Sequence, residues 1–479
     1  MSPLKILLIC CEHNTKEINE PLGIECLASS LRNEFGNDVS IELAFDSLPK
    51  GPFDHVHISC NYNVSDMKKI YNFYLGDAEL ITIGGSYALL HPEEILEKCP
   101  EAICVIGEGE ISTVQITKAA IEHLHLEQVP NLVFLKDGKI IKTKREILDL
   151  SNVNYIIRHE LLKPIIEKNG LVRMETSRGC DWNRCAFCVM PEKYNSKRKR
   201  CYPTIRVVEE IARLSKDGVR TICFTDEEFI GRDPQSTIEL VEMIADYKVA
   251  GTISEDMKFM ASVGVRFIKG KSNEDFDKMK ILLRKMKNVG FDGVFIGIES
   301  GSKTQLERYR KGVTVEENED VLNCLREIGI NADIGFIMFD HLMTFSELEE
   351  NVHFIEKNSV LFASSRVIKL MRIVAGTAYQ KQVSERHGLP SEFKFREYDL
   401  DLYVDEDIRK VLSLLPLDSL SKGESYEIQS NIRKGIGSIA DENTLSKNRD
   451  YELQLLKSAI EKVKLGSNHN SESTIELES

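Results

Sequence analysis

The stretch Glu175-Thr176-Ser177-Arg178-Gly179-Cys180-Asp181-Trp182-Asn183-Arg184-Cys185-Ala186-Phe187-Cys188 places three cysteines in one short loop, spaced C-x4-C-x2-C. It directly follows an apolar, strand-like run at 171–176. Three thiolates so close in sequence can hold one cubic iron–sulfur cluster, and because full ligation takes four cysteines, three leave one iron open. A structural zinc site is the competing reading, with Cys201 as a fourth thiolate thirteen residues after Cys188. Structural zinc sites usually come as two separated knuckles, whereas here the cysteines crowd a single loop. The surroundings of the loop decide between the two.

Downstream, six strand-like runs recur at 171–176, 220–225, 258–267, 293–299, 332–339 and 366–373. Amphipathic helical patterns fill the intervals at 204–214, 236–247, 274–288, 315–328 and 344–356. Six strand–helix units predict a partial (β/α)6 barrel, which gathers its reactive groups at the carboxyl ends of its strands. The cysteine loop lies at the first of those ends. An open iron there can chelate the amino and carboxylate groups of S-adenosylmethionine and pass an electron to its sulfonium, and the cofactor then carries the hard chemistry while the protein orients it.

Upstream, strand-like runs at 5–9, 55–59, 80–83 and 102–106 alternate with helical patterns at 22–35 and 67–74. That alternation predicts a parallel, doubly wound α/β sheet. Gly84-Gly85 and Gly107-Glu108-Gly109-Glu110 follow two of the strands, where open sheets bind ligands and glycine lets backbone approach closely. Residues 130–160 read as an extended connector containing a hairpin around Asp137-Gly138. Beyond about residue 380 the strand signal fades, helices are expected at 405–415 and 451–463, and the polar tail 466–479 is expected to be disordered. The expected domains are 1–145 (Rossmann-like), 146–380 (partial barrel) and 381–479 (a mostly helical C-terminal extension).

Composition narrows the function. Sixty-two Lys and Arg against 76 Asp and Glu give a net charge of −14, which argues against a nucleic-acid surface; the tetrad Lys197-Arg198-Lys199-Arg200 reads as a solvated loop. No apolar run reaches the roughly 18 residues of a membrane span, and the short run at 5–9 leads into Cys10 and Cys11 rather than a cleavage site. Twelve cysteines without a secretory signal point to thiols and metal ligands in a reducing, cytoplasmic compartment. Cys60, Cys104 and Cys223, inside apolar runs, read as small hydrophobes.

With these landmarks in place, residues from about 20 to about 400 resemble the radical S-adenosylmethionine superfamily, and more narrowly its class with an N-terminal cobalamin-binding domain. Pro21-Leu22-Gly23-Ile24, Ile58-Ser59, Gly84-Gly85-Ser86 and Gly107-Glu108-Gly109-Glu110 are similar to the cobalamin-domain landmarks, which implies a cobalamin site at Ser59, Gly84, Gly85, Gly107 and Glu108. The loop resembles the family's cluster loop, which implies that Cys180, Cys185 and Cys188 hold a 4Fe-4S cluster. For S-adenosylmethionine the resemblance implies Asp226, Glu227 and Glu228 at the second strand end, Arg266 after the third, and Glu299 with Ser300 at the fourth. Lys311-Gly312 and 335–339 complete the pattern.

Each of these has a plainer reading: the acidic trio as a helix N-terminus, and Arg266 as a partner of a surface carboxylate. A carboxylate at Glu299, pointing into the barrel mouth, calls for a partner such as a ligand ammonium or hydroxyl. The chain departs from the family twice. Its first two cysteines are one residue further apart than the usual C-x3-C-x2-C, so the loop must bulge, and the D-x-H-x-x-G motif of cobalamin mutases is absent, with Cys11 and Lys16 flanking His13 where Asp and Gly would stand. The functional expectation is cobalamin-dependent C-methylation of a small specialised metabolite or a peptide, with electrons from a flavodoxin or ferredoxin. The alternatives are a radical enzyme performing dehydration, epimerisation, rearrangement or oxidation over a vestigial cobalamin domain, and, from another class, a zinc-stabilised binding protein. The single tryptophan, Trp182, is expected to pack within the loop.

Overall fold

The run Leu4–Cys10 forms strand β1, second from one edge of a seven-stranded sheet in this computed structural model, which describes residues 2–11, 19–45, 47–61, 64–153, 155–158, 161–168, 170–196, 198–358, 367–390, 399–417 and 439–475, the side chains of the last segment from 446 to 466. His13 and Lys16 lie outside the described residues, as do Lys197 and Arg366. The chain divides into two compact units: Met1–Asn183 with Val189–Glu227 and Asp246–Glu255, and Arg184–Cys188 with Glu228–Ala245 and Asp256–Ser479.

In the first unit the sheet order is β2-β1-β3-β4-β5-β6-β7, with β2 at Val39–Ala44, β3 at His55–Ser59, β4 at Leu80–Gly84, β5 at Ile103–Val105, β6 at Leu132–Lys136 and β7 at Lys139–Lys142. The first five strands pair in parallel, and their 2-1-3-4-5 order reverses between β1 and β3, the switch point at which such sheets bind ligands. On one face Leu7, Ile9, Val56, Ile58, Ile81 and Ile83 pack with Met67, Ile70 and Tyr71 of the helix Val64–Tyr74. Fully burying each aliphatic side chain contributes roughly 1.5–3 kcal/mol, which explains the near-continuous apolar strands.

Two expectations are corrected here. The alternating segment Val39–Ala44 is an edge strand that its mixed polarity concealed. The hairpin is no free connector: β6 pairs antiparallel with β5, extending the sheet, and its turn uses left-handed Asp137 (φ 50) and Gly138 (φ 72). The unit also holds β8 (Val172–Met174) parallel to β11 (Thr221–Phe224), and the two-residue strands β9 (Ser177–Arg178) and β10 (Arg200–Cys201), which are antiparallel.

In the second unit β12 (Lys258–Gly264), β13 (Phe291–Glu299) and β14 (Asn331–Phe336) run parallel, connected by the helices Asn273–Asn288 and Val315–Ile328. The second helix begins with a capping box in which Thr314 and Glu317 each bond the other's backbone N–H. The run at 258–267 is strand only to Gly264; Val265 and Ile268, three residues apart and both buried, belong to the short helix Val265–Lys269.

The sixth strand-like run is reduced, among the described residues, to a single bridge between Phe339 and Leu370. Its physical reason is local: the backbone N–H groups of Val367 and Ile368 donate to Glu452 Oε2 at 2.7 and 3.0 Å instead of to a neighbouring strand. The expected C-terminal helices are Glu406–Ser413 and a long helix, Ile439–Ile475, which carries helical backbone through most of the tail expected to be disordered. Among the described residues no helix is long and apolar enough to cross a membrane.

Candidate functional site

The carboxyl ends of β3, β4 and β5 open onto a cavity of about 320 Å³ in the first unit, and all five residues expected at a cobalamin site, Ser59, Gly84, Gly85, Gly107 and Glu108, line it. Gly85 (φ 94) and Gly107 (φ 106) hold conformations that glycine adopts freely. A Cβ on Gly85 would lie 2.5 Å from the Cys60 carbonyl oxygen, so that turn is built for close backbone approach. The helices Leu22–Phe35 and Gly109–Glu122 supply Ile24, Leu27 and Thr113 to the wall.

Glu108 is committed within the protein. Its carboxylate accepts from Arg178 at 3.0 Å, from Arg200 at 2.7 Å and from the Leu148 N–H at 2.8 Å. Arg178 also reaches Glu110 (2.6 Å) and Glu175 (2.9 Å), so one buried guanidinium ties together three carboxylates. Burial alone would raise the Glu110 pKa, yet the Arg178 charge overcomes it and holds the carboxyl below its ordinary range. Sequence reasoning overlooked Arg178 beyond its place in the loop motif, and overlooked His57 altogether. The signal for His57 was present in His55-x-His57-x-Ser59, a polar alternation inside an otherwise apolar strand.

The cysteine loop is shaped by its backbone. In the first unit Gly179 has φ 94, and Asn183, with φ 49, donates from its amide to the Ser196 carbonyl at 2.9 Å. Asp181 accepts from the Lys199 N–H at 3.1 Å, and Cys180 between them is half-buried. In the second unit the Cys188 N–H donates to the Cys185 carbonyl at 3.1 Å, closing a tight turn. Ala186 inside that turn is pinned twice, donating to the Tyr309 carbonyl at 2.8 Å and accepting from the Tyr379 N–H at 2.7 Å. Phe187 meets Tyr309 edge-on at 5.5 Å. Cys185 and Cys188 are half-buried, and among the described residues no three His, Cys, Asp or Glu side chains are already gathered as a metal site.

The acidic trio does not begin a helix, since the next one starts at Gln235. Asp226, buried, accepts from the Thr176 hydroxyl at 2.6 Å, from the Thr176 N–H at 3.0 Å and from the Ser177 hydroxyl. Burial still lifts its pKa to about 6, against the pull of Lys199 and those donors. Glu227 accepts from Lys193 (2.8 Å), the Tyr194 hydroxyl (2.6 Å) and the Gly179 N–H (3.3 Å); Glu228, in the second unit, accepts from the Ile230 and Gly231 N–H groups at 3.1 and 3.3 Å.

Arg266 Nη1 donates to the Gly312 carbonyl at 2.7 Å. The partner that Glu299 calls for is Lys311, at 2.9 Å. Burial would discharge that lysine, yet Glu299 first, and the Cys185 and Cys188 thiols after it, hold its ammonium protonated above the ordinary range. Ser300 is fully buried, its hydroxyl within hydrogen-bonding distance of Gln305 and Asn351.

Residues 174–355 match the family model described as the radical SAM superfamily. The chain carries a radical SAM domain at those residues. Among curated relatives, this chain is 31% identical over 291 residues to a 4′-phospho-dehydrooxetanocin synthase of Priestia megaterium, an alignment covering 59% of the chain and 39% of that protein. It therefore spans well under half the length of that relative. It is 27% identical over 391 residues to an uncharacterized methyltransferase of Pyrococcus horikoshii, covering 76% of the chain and 80% of the relative. Among solved structures, a cobalamin-dependent S-adenosylmethionine radical enzyme, OxsB, determined with aqua-cobalamin bound, superposes with a TM-score of 0.80 at 22% identity, covering 95% of the chain and 72% of that structure. The chain shares that fold: the predicted doubly wound domain, barrel strands and helical extension follow one another in the expected order.

Proposed function

We propose that this chain is a radical SAM enzyme that methylates an unactivated carbon of a small specialised metabolite or peptide, using a 4Fe-4S cluster on Cys180, Cys185 and Cys188 and cobalamin in the cavity at the ends of β3, β4 and β5. The observation that carries the reading is that cavity: it lies at the switch point of a 2-1-3-4-5 sheet and is lined by all five residues expected there. The donor sets fit the cofactors. Three half-buried thiols suit an iron–sulfur cluster, which takes thiolate ligands.

When bound, the cluster supplies the electron that opens S-adenosylmethionine, and cobalamin supplies a transferable methyl group. The chain's own residues do the rest. The pinned backbone of Ala186 holds Cys185 and Cys188 in one turn, and Lys311 offsets thiolate charge beside them. Arg178 braces Glu108 and Glu110 at the cavity wall, leaving the glycine turns to face a ligand. Asp226, Glu227 and Glu228 remain the proposed S-adenosylmethionine contacts, with Arg266, Glu299 and Ser300, and a flavodoxin or ferredoxin the proposed electron donor.

A non-methylating radical reaction is the second reading, favoured by the name of the 31% identical relative, a synthase. The test is protein purified and reconstituted without oxygen, assayed for iron, sulfide, zinc and corrinoid, with nucleoside products separated. Methylation would leave both S-adenosylhomocysteine and 5′-deoxyadenosine, the products of S-adenosylmethionine consumed as methyl source and as radical source. 5′-Deoxyadenosine alone supports the second reading. Zinc without iron would sink both.

A further inference from the structure

The sheet wall of the cavity is built from Cys10, His57, Ser59, Thr82 and Val105, none of them charged. Along β3 the side chains alternate: Val56 and Ile58 join the apolar core of one face, so His55, His57 and Ser59 share the other. His57 is 2% exposed and its register partner on β4 is Thr82, equally buried. Their contact, His57 Nδ1 to Thr82 Oγ1, is 2.7 Å. The other ring nitrogen, Nε2, is buried at the cavity lining and has no hydrogen-bond partner among the described residues. A buried nitrogen left in that state costs about 1–3 kcal/mol, an expense that a ligand in the cavity removes.

Burial, with His55 nearby, lowers the His57 pKa to about 3, so the ring is neutral and offers one donor and one acceptor. Thr82 occupies Nδ1, which leaves Nε2 to face the cavity. His57 stands two residues before the strand end at Ser59, or roughly 6–7 Å deeper at about 3.3 Å per residue. Apolar Ile24, Leu27 and Val105 flank the space. The sheet wall around His57 carries no charge, the charged lining residues Glu108, Glu110, Arg173, Glu175, Arg178 and Lys193 standing on other elements, and it suits the edge of a flat neutral heterocycle better than a phosphate, which would require cations or N–H groups there.

We propose that His57, positioned by Thr82, reads the benzimidazole nucleotide base of the corrinoid, so that the protein selects corrinoids carrying a base over those without one. This rests on the cobalamin reading of the cavity. The test is equilibrium dialysis of the full-length, cluster-reconstituted protein against hydroxocobalamin and against dicyanocobinamide, which lacks the nucleotide tail, with visible spectra of the bound corrinoids. Wild-type protein is expected to favour hydroxocobalamin. His57→Phe is expected to raise the Kd for hydroxocobalamin about tenfold, about 1.4 kcal/mol, and to leave that for dicyanocobinamide unchanged, which also shows the cavity intact. His57→Gln, which restores an N–H, is expected to recover part of the loss, and Thr82→Val to fall between. Equal hydroxocobalamin binding by wild type and His57→Phe, or equal losses for both corrinoids, overturns the role of His57 while the cobalamin reading stands. Wild-type protein that binds neither corrinoid overturns the cobalamin reading and this inference with it.

Discussion

Lys311 Nζ lies 2.9 Å from Glu299 Oε1, and both side chains are largely withdrawn from water, 14% and 12% exposed. Glu299 ends β13 in a left-handed conformation (φ 67), rare for a residue with a side chain. Gly297 leaves the pair its space, since a Cβ there would lie 2.7 Å from Lys311 Nζ. The ion pair thus fixes a strand end that the residue's intrinsic preference would not choose.

Lys311→Met is expected to destabilise the protein by about 3 kcal/mol, because it leaves the Glu299 carboxylate buried and uncompensated. The double variant with Glu299→Gln should recover a measurable part of that loss. Urea unfolding of the four proteins of the cycle checks this; purely additive losses would show that the pair is not coupled.

Asp226 carries a pH signature. Its folded pKa is lifted to about 6 by burial, above the ordinary 3.8, so the folded state holds a proton that the unfolded state has released. Its contribution is therefore greatest below about pH 4 and is lost as pH rises through 6, a change of about 3 kcal/mol. Asp226→Asn should flatten that limb in unfolding free energies measured across pH 4–7.

His341 works with the opposite sign. The ring is buried, stacks on Tyr403 at 4.6 Å, and has no hydrogen-bond partner on either nitrogen among the described residues. Burial lowers its pKa to about 4, so its contribution is present above about 6.5 and declines as pH falls toward 4, by about 3 kcal/mol. His341→Phe should raise the thermal midpoint at neutral pH and soften the acid limb. His55 and His57, lowered to about 4 and about 3, keep the remainder.

Gly85→Ala is expected to cost about 1–3 kcal/mol and to weaken corrinoid binding, since φ 94 is strained for alanine and the new methyl would meet the Cys60 carbonyl. Gly138→Ala, at the hairpin turn with open space around it, should lose stability alone. Thermal melts and corrinoid titrations of both variants separate the two effects.

The loop prediction extends to metal. Replacing Cys180, Cys185 and Cys188 with alanine should abolish iron and sulfide incorporation, while Cys201→Ser, at an exposed position, should retain both. Iron analysis after reconstitution checks this, and loss of metal in Cys201→Ser would favour the zinc arrangement instead.

The sequence by itself determined the order of elements, the glycine turns at the strand ends and the three-cysteine loop, because period-2 and period-3.6 apolar patterns and Gly at positive φ are local requirements written one residue at a time. It missed the edge strand Val39–Ala44, whose polar positions dilute the apolar pattern, and overstated the sixth barrel strand, whose N–H groups are taken by Glu452 from 84 and 85 residues away. Only the tertiary structure decided which buried groups answer one another: Arg178 with Glu108 and Glu110, Lys311 with Glu299, and His57 with Thr82. Those pairings depend on which strand lies beside which, and on the low dielectric of the interior that makes an unanswered polar group costly, neither of which any local stretch of sequence records.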